Sequence, residues 1–168
     1  MPGAWLLLLP LCVDFDFILD RRLAVGGGLW TLEAMAELSR RGFTHIVDVQ
    51  AEFDDTELAS EVGLEVLWNP VEDDGQPKPA VFFDRAVAFA ARALSDPLAQ
   101  VYVHCAAGIH RGPLAAAAIL CALGFRPEDA MSLIVTRRPG ADFPSPYRYS
   151  LLVWATARHP QRSTMEAC

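Results

Sequence analysis

Cys105 and Arg111 stand six positions apart in the stretch His104-Cys105-Ala106-Ala107-Gly108-Ile109-His110-Arg111. A thiolate is a strong nucleophile and a guanidinium is a planar fork matched to phosphate oxygens, so the pair suits attack on an anionic ester. The flanking residues say where the pair would sit. Gln100-Val101-Tyr102-Val103-His104 is rich in β-branched and aromatic residues and reads as a buried strand; Pro113 to Leu123 reads as a helix stopped by Gly124. The loop between them then lies at a helix N-terminus, where backbone N–H groups lack intrahelical partners and the peptide dipoles add partial positive charge. Such a loop favours an oxyanion or a thiolate, with Ala106, Ala107, Gly108, Ile109, His110 and Arg111 as its phosphate-binding residues.

The elements that must position this loop alternate along the chain. Helical patterns at Thr31 to Arg41, Val81 to Leu94, Pro113 to Leu123, Pro127 to Arg137 and Pro146 to Ala157 interleave with strands at Thr44 to Val49, Leu64 to Trp68 and Gln100 to His104. This predicts an α/β fold, a single domain over residues 1–168 with a short, mostly parallel central sheet flanked by helices. Ligands in such sheets bind beyond the carboxyl ends of the strands. Two loops end at that edge: the one after His104, and the polar turn-forming segment Asn69-Pro70-Val71-Glu72-Asp73-Asp74-Gly75-Gln76-Pro77 after the strand ending at Trp68. Expelling an alkoxide or phenoxide at neutral pH needs a proton donor, and Glu72, Asp73 and Asp74 all offer a carboxyl group over the cradle. Spacing alone does not choose among the three.

The His-Cys, five residues, Arg pattern resembles the signature of the cysteine-dependent protein tyrosine and dual-specificity phosphatases. The resemblance runs from about Ile18 to Trp154. Ile18 to Gly27 looks like that family's leading segment, Phe43 to Val49 like its strand after the first helix, and Arg137-Arg138-Pro139-Gly140 like its turn after the helix following the signature. It implies the phosphatase fold and two-step phosphoryl transfer, with Cys105 as nucleophile, Arg111 and the loop amides as phosphate ligands and His104 in support. The family pattern Pro-x-x-Asp puts its acid at Asp73, 32 residues before Cys105, with Asp74 and then Glu72 as runners-up. No metal or other cofactor is implied, because Arg111 and the amides supply the positive charge, and the sequence shows no His/Asp cluster at ligand spacing.

Two departures from the family bear on the second step. Where it has Ser or Thr after the arginine, this chain has Gly112, and Asp142 to Tyr147 carries no glutamine to orient the hydrolytic water. Slow hydrolysis of the phosphoenzyme is the expectation. The alternatives are a phosphate-binding pseudophosphatase module, for which Gly112 is the supporting feature, and a sulfurtransferase, which leaves Asp73 without a task.

Composition narrows the partners. With 168 residues, 52% hydrophobic and 21% charged, the chain describes a folded domain that buries roughly 70% of its unfolded surface. A net charge of −7 repels nucleic acid and anionic membranes, so a phosphorylated protein or peptide, or a small phosphate ester, is the expected partner, with no stable membrane association. The signature loop holds no lysine, which argues against a polyphosphorylated inositol headgroup. Four cysteines, Cys12, Cys105, Cys121 and Cys168, show no disulfide framework, and a reactive thiolate needs a reducing compartment, so a cytoplasmic location is expected. The apolar run Trp5 to Leu11 lacks a preceding Lys or Arg and a following cleavage site. Residues 1–12 therefore read as an extra N-terminal strand or an added segment, and 159–168 as a frayed tail.

Overall fold

The computed structural model describes residues 12–158. The expectations for the apolar run Trp5 to Leu11 and the tail 159–168 fall outside them. Eleven elements follow in the order β1 (Phe15–Leu19), β2 (Leu23–Gly26), α1 (Leu32–Arg40), β3 (His45–Gln50), α2 (Thr56–Glu61), β4 (Glu65–Val71), α3 (Ala80–Leu94), β5 (Val101–His104), α4 (Arg111–Ala122), α5 (Pro127–Arg137) and α6 (Ser145–Arg158). One five-stranded sheet has the order β1-β2-β5-β3-β4, with β1 antiparallel to β2 and every other pair parallel.

The inner strands are buried on both faces, so they read as mostly apolar runs and not as alternation, with Asp48, Gln50 and His104 as buried polar residues towards their carboxyl ends. Along β5, Val101 and Val103 enter one core with α3, α4, α5 and α6, while Tyr102 faces the other, where Met35, Leu38 and Phe43 pack beneath α1. Helix α4 is buried around almost its whole circumference, which is why Pro113 to Cys121 is apolar on every face. Full burial of side chains such as Phe83, Tyr102 and Leu114 contributes roughly 1.5–3 kcal/mol each relative to exposure.

Register places the chemistry. Gly26 pairs with His104 and His104 with Asp48, which pairs in turn with Trp68, so four strands end in one row. The loops that leave this edge are Gly27–Trp30, Ala51–Asp55, Glu72–Pro79 and Cys105–His110, since β4 runs three residues past the Trp68 at which the sequence pattern stops.

Three elements were not legible in the sequence. Strand β1 carries Asp14 just before it and Asp16 within it, which obscures a strand signal; both carboxylates are matched by Arg138 from the turn after α5. Strand β2 has four residues and α2 six, too few for periodicity to show. The α4 helix also starts at Arg111, two residues before the proline expected to open it.

Candidate active site

The loop Cys105–His110 is held from outside by its carbonyls. Ala106 O accepts from Gly28 N at 2.9 Å, Gly108 O from Arg138 Nε at 2.8 Å, Ile109 O from Asp142 N at 2.8 Å and His110 O from Leu114 N at 3.0 Å. In a trans peptide the carbonyl of one residue and the N–H of the next point in opposite directions. The N–H groups of Ala107, Ile109, His110 and Arg111 are therefore turned away from those outer partners, towards the hollow of the loop. Among the described residues, none of the N–H groups of Ala106 to Arg111 donates to a backbone carbonyl outside α4. Gly108 makes the reversal with φ of +66°; a Cβ there would lie 2.4 Å from Gly26 O, so only glycine fits.

Beneath the loop lies a charge cluster that the sequence did not announce. His104 is fully buried, with Nε2 2.6 Å from Asp55 Oδ2 and Nδ1 3.3 Å from Cys105 O. Burial pushes this imidazole down in pKa, but the bond to Asp55 and the charge of Asp48 more than reverse it, and the result is raised. As an imidazolium it donates to both partners, tying the nucleophile's carbonyl to Asp55. Asp48 is equally buried; it accepts from Gln50 N at 3.0 Å and Asp55 N at 3.2 Å, and burial pushes its carboxyl up to about 7 against the attraction of His104. The sequence spacing showed no group at metal-ligand separation, yet the fold brings ligand atoms of Asp48, Asp55 and His104 within 4.8 Å of one another. Their lone pairs and protons are spent on each other and on backbone amides. Asp55 caps α2 without any side-chain capping bond, since its carboxylate serves His104 instead.

Arg111 is 2% exposed. Its terminal nitrogens do not face the cradle as expected. Nη1 and Nη2 lie 2.9 and 2.8 Å from the two carboxylate oxygens of Glu52, and Nη1 also donates to Val71 O at 3.0 Å. Glu52 reaches this position from the loop after β3, one of three acids in Glu52-Phe53-Asp54-Asp55; that acidic run at the carboxyl edge was the available signal. What remains is Nε, buried and without a hydrogen-bond partner among the described residues. A buried donor left unpaired is costly, and an oxyanion in the loop satisfies it.

The acid loop sorts its three carboxyls by direction. Asp73 Oδ2 lies 3.1 Å from His110 Nδ1 and 3.9 Å from Arg111 Nε, and its Oδ1 accepts from the Tyr147 hydroxyl at 2.8 Å. Asp74 instead pairs with Lys78 at 2.6 Å, away from the loop. Glu72 contributes its backbone carbonyl to Lys78 Nζ at 2.6 Å. Burial pushes the Asp73 carboxyl up, and the bonds from Tyr147 and His110 with the charge of Arg111 outweigh this, leaving it below the usual range. The Tyr147 phenol is pushed up to about 12 by burial and by Asp73, so it stays a donor. Gly112 has a packing reason: a Cβ on it would sit 3.2 Å from Cys105 N and 3.3 Å from His104 C, tighter than a side chain there prefers.

Residues 29–157 match the family model described as the dual specificity phosphatase, catalytic domain. The chain belongs to this family. Protein tyrosine phosphatase type IVA 3 of Mus musculus is 34% identical over 106 residues, covering 62% of this chain and 61% of that protein. The chain thus spans less than two thirds of the length of that curated relative. Among solved structures, PTPMT1 in complex with PI(5)P superposes with a TM-score of 0.78 at 17% identity, covering 88% of this chain and 98% of that one. Human DUSP28 gives 0.75 at 20% identity, with 87% and 99% covered. At these identities the superpositions establish the family's fold for this chain. No helix among the described residues is long and apolar enough to cross a membrane.

Proposed function

We propose that this chain is a cysteine-dependent phosphatase that hydrolyses phosphate monoesters, on tyrosine or serine/threonine of proteins or on a small molecule, through a phosphocysteine intermediate. One observation carries the reading: the loop that begins with the thiol of Cys105 has amides turned inward from its outer bonds and ends on the buried, unpartnered Nε of Arg111. The Cys105 thiolate attacks phosphorus, an S–P bond forms and the P–O bond to the leaving group breaks. The amides of Ala106 to Arg111 and Arg111 Nε hold the equatorial oxygens, while Glu52 fixes the guanidinium plane. Asp73 gives its proton to the departing oxygen. Its low resting pKa serves this because a bound phosphate dianion adds negative charge beside it and raises it. Water then attacks the phosphocysteine, Asp73 takes its proton, and Cys105 departs as thiolate with release of inorganic phosphate. A phosphorylated protein is the favoured substrate class, supported by relatives named as protein tyrosine phosphatases, and a reducing, cytoplasmic compartment suits the thiolate.

The test is hydrolysis of p-nitrophenyl phosphate by the purified chain. Asp73→Asn is expected to lower kcat/KM by about 10²-fold on an alkyl phosphate, less on p-nitrophenyl phosphate with its good leaving group, and to erase the high-pH limb of the kcat/KM profile. An unchanged profile assigns the proton to another group. With no hydroxyl at Gly112 to help the thiolate leave, phosphoenzyme accumulates. Rapid quench should therefore show a burst of p-nitrophenol close to one per enzyme, and a linear time course counts against slow hydrolysis.

A binding module without turnover is the second reading, favoured only by Gly112. It predicts phosphate binding with no p-nitrophenol release. Release of thiocyanate from thiosulfate and cyanide would point to sulfur transfer.

A further inference from the structure

The rim of the cradle is built for positive charge beside the phosphate. Among the described residues, the cations bonded to the loop or to the acid segment already have carboxylates of their own: Arg111 has Glu52, Arg138 has Asp14 and Asp16, and Lys78 has Asp74. Asp73 and Asp142 are left facing one imidazole, with His110 Nδ1 3.1 Å from the first and its Nε2 3.7 Å from the second. Asp142 is 70% exposed, so its charge is presented outward. An aromatic pair borders the loop as well. Trp30 folds back over Gly28, whose N–H holds the loop carbonyl of Ala106, and its ring meets Phe53 edge-on at 6.0 Å. Phe53 directly follows Glu52, the residue clamped to Arg111, and both rings are well exposed, at 50% and 37%.

Resting on the phosphatase reading, we infer that the preferred substrate is a phosphotyrosine flanked by lysine or arginine in a basic peptide segment. The unpartnered, buried Nε of Arg111 marks where the phosphate goes. Carboxylates outnumber cations around it, so a second phosphate on the same ligand meets repulsion, whereas a neighbouring ammonium or guanidinium meets attraction. The exposed Trp30 and Phe53 faces offer stacking for the phenol ring and a cation–π surface for the flanking side chain.

The experiment compares two phosphotyrosine peptides of one sequence, with three flanking lysines in one and three glutamates in the other. Wild-type kcat/KM is expected to favour the lysine peptide by about tenfold at low ionic strength, and the ratio should shrink at 0.5 M salt. Asp142→Lys should bring the ratio of the two peptides' kcat/KM close to one, whatever it does to turnover of p-nitrophenyl phosphate, and a ratio left at the wild-type value overturns the inference. Trp30→Leu should weaken it by raising KM for the lysine peptide. Titration of both peptides into Cys105→Ser reads the same preference as an affinity ratio without turnover, so failure of the phosphatase reading shows separately as absent p-nitrophenol release. Equal or reversed peptide preference overturns the inference, as does faster dephosphorylation of vesicles carrying a phosphoinositide than of either peptide.

Discussion

Turnover of p-nitrophenyl phosphate is expected to fall by roughly 10⁴-fold or more in Cys105→Ser, with binding of inorganic phosphate retained. Serine keeps the size of the side chain and the loop around it, but its hydroxyl is hardly ionised near neutral pH and needs a base to activate it. His104 does not fill that role: both of its ring nitrogens are engaged, with Asp55 and with the carbonyl of Cys105. Arg111→Lys should separate binding from nucleophilicity in the opposite way. Lysine is a point donor, so it cannot hold both Glu52 oxygens and still present an inward N–H, as the guanidinium does with Nη1, Nη2 and Nε. Loss of both phosphate binding and about 10²- to 10³-fold in kcat is expected. Isothermal titration with phosphate and steady-state kinetics on both variants measure these outcomes. Substantial turnover by Cys105→Ser places the nucleophile elsewhere and removes the covalent mechanism.

Much of this site could be read from residues in a row. The strand Val101–His104, the loop after it and the helix beyond share one stretch of sequence, and their local patterns agree. The α/β alternation likewise fixed the layer arrangement, since each long helix carried its own punctuation. What could not be read were partners distant in sequence. Asp55 is 49 residues from His104, and Glu52 is 59 from Arg111. In the sequence both belong to an ordinary acidic loop, and only the parallel pairing of β3 with β5 carries that loop to the cradle. Nothing within the helical pattern Pro146 to Ala157 marks Tyr147 for a role; its hydroxyl on Asp73, 74 residues away, depends on how α6 crosses the acid loop. The fork of Arg111 meets Glu52 and not the loop, and the carboxylate that takes it is invisible until the strands are paired.

The buried cluster under the loop predicts the largest stability effects. Asp55→Ala removes the acceptor from a fully buried imidazolium and leaves its proton facing Asp48 at 3.8 Å, too far for a hydrogen bond. Breaking such a pair costs about 3 to 5 kcal/mol, read as a lower urea midpoint at an unchanged m-value. The pH dependence has a definite sign. Asp48 has its folded pKa raised, to about 7 from 3.8, so the folded state binds the proton more tightly and its stabilisation is lost as pH rises towards 7. His104, also raised, acts in the same direction. Asp73 and Glu52, both lowered, act oppositely, but only below about pH 4.5, where free carboxyl groups titrate. Between pH 5 and pH 8 the wild type should therefore lose about 2 to 3 kcal/mol through Asp48. Asp48→Asn carries no titratable proton there and should flatten the curve, even though its amide cannot accept from both Gln50 N and Asp55 N and lowers stability at pH 5. Urea titrations of both proteins across that range decide it, and a wild type whose stability climbs from pH 5 to pH 8 would show that the Asp48 carboxyl is already ionised at the acid end.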